Sequence, residues 1–259
     1  DADLQRRADR MAAFDPNSEI LTPAQARVLS PELHCTRPAL FSALDWRLEP
    51  KPVLCALHGA FCAEGGYTAP QAVVSWSTGC AKMRTGEFVR ADVLVLATGA
   101  SGFAVNEIAE LDLLTPIKGQ ILWFHGSGPF AGPAVRAPGV YVAPSRGGAL
   151  AGASMQEGRN DREIEPDIID NLRARAGALF PGLAQADLTA RAGVRAATPD
   201  GLPMVGFSAE APGVMLAAGA RRNGWLLAPA MADVVAGHLR GVPRGAFAQA
   251  FDPARFVIH

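Results

Sequence analysis

The run Asp92-Val93-Leu94-Val95-Leu96-Ala97-Thr98-Gly99-Ala100 constrains the fold more than any other segment. Its aliphatic residues are continuous rather than alternating. That pattern predicts a strand buried on both faces, as in a parallel sheet layered between helices. The run ends in Thr98-Gly99-Ala100, which places backbone amides at the carboxyl edge of the sheet, where α/β proteins bind ligands. A second run, Val214-Met215-Leu216-Ala217-Ala218-Gly219, leads through an arginine-bearing loop into an apolar helix from about Trp225 to Leu239. Gly241-Val242-Pro243 would end that helix.

The remaining segments fit a mixed architecture. Residues 1–13 read as a helix. Thr22 is an N-cap candidate before Pro23 at the first position of another helix. Residues 41–46 look extended, and Glu49 to Glu64 form an apolar helix stopped by Gly65-Gly66. Residues 72–76 and 80–84 predict a hairpin about Ser77-Thr78-Gly79. Residues 117–155 predict a second sheet of short strands, 117–124, 140–144 and 149–153, between glycine-rich turns. Pro166 to Phe180 has helical periodicity, with Ile168, Ile169, Leu172 and Leu179 as core candidates. A chain of 259 residues can form one large domain or two interleaved ones.

Bulk properties narrow the function classes. The chain is 49% apolar and 19% charged, with a formal charge of -1, which gives no electrostatic reason to bind nucleic acid. No apolar run approaches the length of a membrane span. Cys35, Cys55, Cys62 and Cys80 lack metal-site spacing and predict reduced thiols in a cytoplasmic protein. The five histidines show no spacing for a metal or a triad, so no metal site is expected. Ser42, Ser101 and Ser145 lack the Gly-x-Ser-x-Gly context of a nucleophile elbow.

Two segments carry chemistry. Gly193 to Gly206 and Ala217 to Ala230 each present an arginine among glycines and prolines, read as a loop. Such backbone approaches a ligand closely, and a guanidinium grips a carboxylate with two parallel hydrogen bonds. The second loop opens a helix whose first-turn amides are unpaired and whose dipole favours negative charge.

Together these segments resemble the C-terminal signature of the amine-oxidising flavoproteins of the D-amino-acid oxidase superfamily, and within it the glycine oxidase group. The resemblance spans roughly residues 15–256. It implies FAD as cofactor and a small amine or amino acid as substrate. Arg195, in Ala192-Gly193-Val194-Arg195-Ala196, is similar to the arginine of an Ala-Gly-Leu-Arg-Pro segment that binds the substrate carboxylate, with valine and alanine replacing leucine and proline. Arg222 matches the arginine directly before Asn-Gly, near the flavin. Tyr141, in Gly139-Val140-Tyr141-Val142-Ala143-Pro144, matches a strand that points a hydroxyl at the substrate. Thr98, Gly99, Gly119, Gly219, Arg222, Asn223, Gly224, Trp225 and Leu226 are the implied cofactor-binding positions. Met155 and Trp225 are candidates to line the substrate pocket or to serve ordinary packing. Two departures stand out: Arg221 where an aromatic residue is usual and Ala220 where histidine is common.

The implied fold is α/β (α+β): an incomplete FAD-binding parallel-sheet domain interleaved with an antiparallel-sheet substrate domain. Residues 1–52 form a substrate-domain helical segment, 53–116 a partial FAD-binding domain and 117–190 the substrate domain. Residues 191–259 form the C-terminal part of the FAD-binding domain. The family's Gly-x-Gly-x-x-Gly turn has no counterpart in these residues. Neither Gly99-Ala100-Ser101-Gly102 nor Gly126-Ser127-Gly128 has its spacing or its strand-to-helix setting. Without the first strand, apolar neighbours are expected to be covered by a swapped arrangement or homo-oligomer, by a complementary N-terminal fragment, or by a rearranged sheet. Three readings stay open: an FAD-dependent amine or amino-acid oxidase, a dehydrogenase with another electron acceptor, and a non-catalytic or partner-dependent subunit that keeps the scaffold.

Overall fold

A computed structural model describes residues 2–77, 79–100, 108–126, 132–242 and 245–256. Thr78, Ser101, Gly102, Ser127, Gly128 and Pro243, all named above, lie outside the described residues. The chain divides into two compact units. One comprises Asp1–Tyr67, Gln120–Ser154 and Glu163–Ala192; the other comprises Thr68–Gly119, Met155–Arg162 and Gly193–His259.

The first unit is built on an antiparallel sheet. Strand Gly148–Gly152 pairs with Val140–Ser145 on one side and with Thr115–His125 on the other, and Val135–Ala137 adds to Val140–Ser145. The alternation along these strands sends Leu122, Phe124, Val142, Ala149 and Ala151 into one core with Leu172 and Ala176 of helix Pro166–Leu179. Each large side chain buried there contributes about 1.5–3 kcal/mol. Ile168, Ile169 and Leu179 pack against the same core half-buried. Gly148 has no room for a side chain, because a Cβ would collide with the Phe124 carbonyl.

Local chemistry sets the element ends. Helix Pro23–Leu29 starts with a full capping box, Thr22 Oγ1 accepting from Gln25 N and the Gln25 side chain accepting from Thr22 N. The extended stretch near Phe41 is shorter than its sequence predicts. Strand Ala39–Phe41 pairs with Glu19–Leu21, and the chain then turns at Ala43-Leu44. Ser42 Oγ causes this by donating to Asp15 at 2.6 Å while accepting from Leu44 N at 3.3 Å. Helix Pro50–Ala63 buries no residue and exposes Leu54, Leu57 and Phe61.

The second unit holds a three-stranded sheet. Val214–Ala218 runs parallel to Leu94–Leu96 and antiparallel to Met204–Phe207. Trp76, Leu96, Leu111, Leu114, Met204, Val214 and Leu216 form its core. Hairpin Val73–Ser77 and Cys80–Met83 continues to Phe88–Arg90, and Trp76 Nε1 donates to Pro212 O at 3.2 Å. The aliphatic run beginning at Asp92 is not buried on both faces. Only Leu94–Leu96 is strand; it ends the described sheet, and Val95 is 36% exposed on the face opposite Leu94 and Leu96. Continuous aliphatic sequence marks a strand suited to two covered faces, and among the described residues one of them is left open. Helix Gly224–Leu239 behaves likewise: it buries only Val234 and leaves Leu226 77% exposed.

Candidate functional site

Arg195 sits in a strand rather than in a loop. Leu188–Ala197 stays extended through Gly193, and the glycine-proline turn begins only after Thr198. Arg195 is half-buried, and its Nη1 lies 3.9 Å from Met155 Sδ. Its guanidinium occupies the space where a side chain at Gly119 would stand, so that only glycine leaves it room. Gly119 itself is buried in strand Thr115–His125.

That strand is anchored on both sides of the glycine. Lys118, with a fully buried side chain, pairs with Asp161, which also accepts from Arg159 Nε at 2.7 Å. Gln120, likewise fully buried, accepts through its carboxamide oxygen from Glu165 N at 2.9 Å. Strand Gln156–Glu157 pairs antiparallel with it, Gln156 opposite Lys118 and Glu157 opposite Ile117.

The end of Leu188–Ala197 meets the second loop. Ala197 bridges Ala220, and Ala196 O accepts from Arg221 N at 2.9 Å. Gly219, at φ +78°, must be glycine twice over: a Cβ there would stand 2.6 Å from Thr198 Cγ2 and 3.3 Å from Leu114 Cδ2. Arg221, at φ +49°, is the one non-glycine residue with positive φ among the described residues. Its Nη2 pairs with Glu157 Oε1 at 3.1 Å. Arg222 is exposed, and Asn223 N donates to Ala220 O at 2.8 Å.

Helix Gly224–Leu239 then starts without a side-chain cap. Among the described residues, the amides of Gly224, Trp225 and Leu226 have no hydrogen-bond partner. Sixteen residues of aligned peptide dipoles add partial positive charge at that end. The parallel register Val214 to Leu94 through Leu216 to Leu96 brings Gly219 and the Thr98-Gly99 pair out at the same carboxyl edge. Thr98 and Gly99 are exposed there, Gly99 at φ +60°.

The second unit therefore gathers Thr98, Gly99, Gly119, Arg195, Gly219 and Arg222 through Leu226. Tyr141 belongs to the first unit, half-buried, opposite Gly152 and Arg136 in the ladder; a Cβ on Gly152 would come within 3.0 Å of its hydroxyl.

The turn between Arg195 and the next strand is tied down by residues that carry no recognisable motif. Arg255 donates from Nε to Asp200 Oδ2 at 2.7 Å and from Nη2 to the carbonyls of Leu202 and Pro203 at 3.1 and 3.0 Å. Asp200 Oδ1 also accepts from Leu202 N at 3.0 Å. The Arg255 guanidinium, chiefly, holds the Asp200 carboxyl down at about 2. Fifty-five positions separate the pair, so nothing local in the sequence marks it. Glu157 carries no motif of its own, and Lys118 is marked only by its place in the segment Pro116 to Gln120.

The family model described as FAD dependent oxidoreductase matches residues 1–237. A glycine oxidase of Geobacillus kaustophilus is 31% identical over 226 residues, covering 83% of this chain and 60% of that protein. The tRNA 5-methylaminomethyl-2-thiouridine biosynthesis bifunctional protein MnmC of Caulobacter vibrioides is 32% identical over 239 residues, covering 88% of this chain and 38% of that protein. Among solved structures, the Geobacillus kaustophilus glycine oxidase superposes with a TM-score of 0.87 at 27% identity, covering 99% of this chain and 72% of that one. The chain thus spans 60% and 38% of the length of these two curated relatives.

Proposed function

The chain belongs to the FAD-dependent oxidoreductase family, and on that premise we propose that it carries the substrate and flavin-ring side of a glycine oxidase-like amine or amino-acid oxidoreductase. The observation that carries this reading is the seat of Arg195 on Gly119, one bridge away from the Gly219–Gly224 loop.

The residues present fit the ring end of FAD. Three unpartnered amides at a helix start and the glycines Gly219 and Gly99 form a polar cradle with little side-chain bulk. In this reading Arg222, Asn223, Gly224, Trp225 and Leu226 would hold the ring. Thr98, Gly99 and Gly119 supply close backbone approach. Bound FAD would supply the two-electron acceptor for oxidation of the substrate C–N bond. Arg195 holds the substrate carboxylate and so orients its Cα–H bond, while the helix dipole favours the negative charge gained on reduction. The antiparallel unit, which carries Tyr141, serves as the substrate domain in this reading. Four free cysteines support a cytoplasmic setting.

These residues contain no phosphate-binding glycine turn, so the pyrophosphate falls to a segment or partner outside them. Among the described residues, the side of Leu94–Leu96 without a paired strand and the exposed apolar residues of helix Gly224–Leu239 favour such a complement. Absorption spectroscopy of the purified chain with FAD tests the reading: flavin retained through gel filtration supports it. Colourless protein, alone and with the complementary segment, supports a non-catalytic scaffold instead. Peroxide formation set against dye reduction separates an oxidase from a dehydrogenase.

A further inference from the structure

The reading of Arg195 as a carboxylate anchor leaves a second arginine beside it without a task. We propose that Arg221 determines substrate specificity by binding a second, distal anionic group, so that the preferred substrate is a dicarboxylic amino acid or amine. This inference rests on the Arg195 assignment and goes beyond it.

Strand geometry carries the argument. Residues two apart on a strand share a face, so Gly119 and Ile117 point the same way, and Glu157 stands opposite Ile117. Arg195 covers that face at Gly119, and Arg221 meets it at Glu157. Met155, which touches Arg195, and Glu157, which touches Arg221, are likewise two residues apart. The two positions that the guanidinium groups address, Gly119 and the Ile117–Glu157 pair, therefore lie on one strand face two residues, or about 7 Å, apart. A short-chain dicarboxylate offers two anionic ends on that scale, and each guanidinium can take one carboxylate with paired hydrogen bonds.

Arg221 is also held where it is by design of the loop. Its left-handed backbone, uncommon for a residue with a side chain, is fixed by its own amide on Ala196 O and by the Ala197–Ala220 bridge. The Glu157 partner is 67% exposed, and an exposed, solvent-screened ion pair of this kind is weak. A substrate carboxylate can displace Glu157 at small cost.

Calorimetric titration of the FAD-supplemented chain with succinate and with butyrate, at low ionic strength, tests this. The two ligands have equal length and differ by one carboxylate. Succinate is expected to bind about tenfold tighter, the loss expected for one charge-assisted contact. Arg221→Gln, and Arg221→Asn, which tolerates the left-handed backbone, should bring succinate down to the butyrate level and leave butyrate unchanged. Glu157→Gln should tighten succinate and not butyrate. Equal affinity for the two ligands, or a succinate preference that survives both Arg221 variants, overturns the proposal. Butyrate binding that is indifferent to Arg195→Gln overturns the carboxylate-anchor reading, whatever Arg221 does.

Discussion

Gly119 and Arg195 share one volume: the guanidinium of Arg195 lies where any side chain at position 119 would begin. The relation is one-sided in energy. A strand flanked by buried, paired Lys118 and Gln120 yields little, whereas the end of an arginine side chain yields easily.

Gly119→Ala should therefore displace Arg195 rather than disturb the fold. The expected outcome is a KM for carboxylate-bearing substrates raised at least tenfold, with stability lowered by less than about 1.5 kcal/mol. Steady-state kinetics alongside thermal melting check this. A large drop in melting temperature with KM unchanged would show that the strand moves and the arginine stays.

Gly219→Ala should behave oppositely. Positive φ and the 2.6 Å approach to Thr198 Cγ2 both oppose a side chain, and Thr198 is held near Asp200 and the Leu202 carbonyl. A destabilisation of about 1–3 kcal/mol is expected, read as a melting temperature lowered by several degrees.

The Asp200–Arg255 pair gives an acid-side signature. The Asp200 pKa falls from 3.8 to about 2 on folding, so its carboxylate stabilises the fold above pH 3.8 and that contribution is lost as pH falls through about 2. Partial exposure of the pair keeps the effect small. Denaturant midpoints measured between pH 2 and 5 should fall less steeply toward acid for Asp200→Asn than for the unchanged chain. Identical slopes would remove the Asp200 carboxylate as a contributor.

Lys118 and Asp161 differ in burial, at 0% and 32% side-chain exposure, so removing either partner has unequal consequences. Asp161→Asn takes a carboxylate away from a buried ammonium and should destabilise more than Lys118→Met, which removes the buried charge itself. Urea unfolding of both variants orders them.

Much of this fold was legible because its determinants are local. Thr22, Pro23 and Gln25 write a helix start into four positions, and Gly65 and Gly241 follow the ends of their helices. Arg195 was misplaced into a loop because Gly193 and Pro199 are read as punctuation, yet pairing carries the strand through Gly193. Val95 was assigned to a covered face because sequence reports what a strand suits and not what lies beside it. Asp200 with Arg255, Lys118 with Asp161, and Arg221 with Glu157 meet across 43 to 64 positions, where local pattern carries no signal.

The most direct test of the account is a titration of the FAD-loaded chain with acetate, followed by the flavin absorption spectrum, for the unchanged protein and for Arg195→Ala. The account predicts a saturable spectral change in the unchanged protein that Arg195→Ala abolishes while flavin stays bound. Equal perturbation in both proteins would contradict it, as would failure to retain flavin even with the complementary segment supplied.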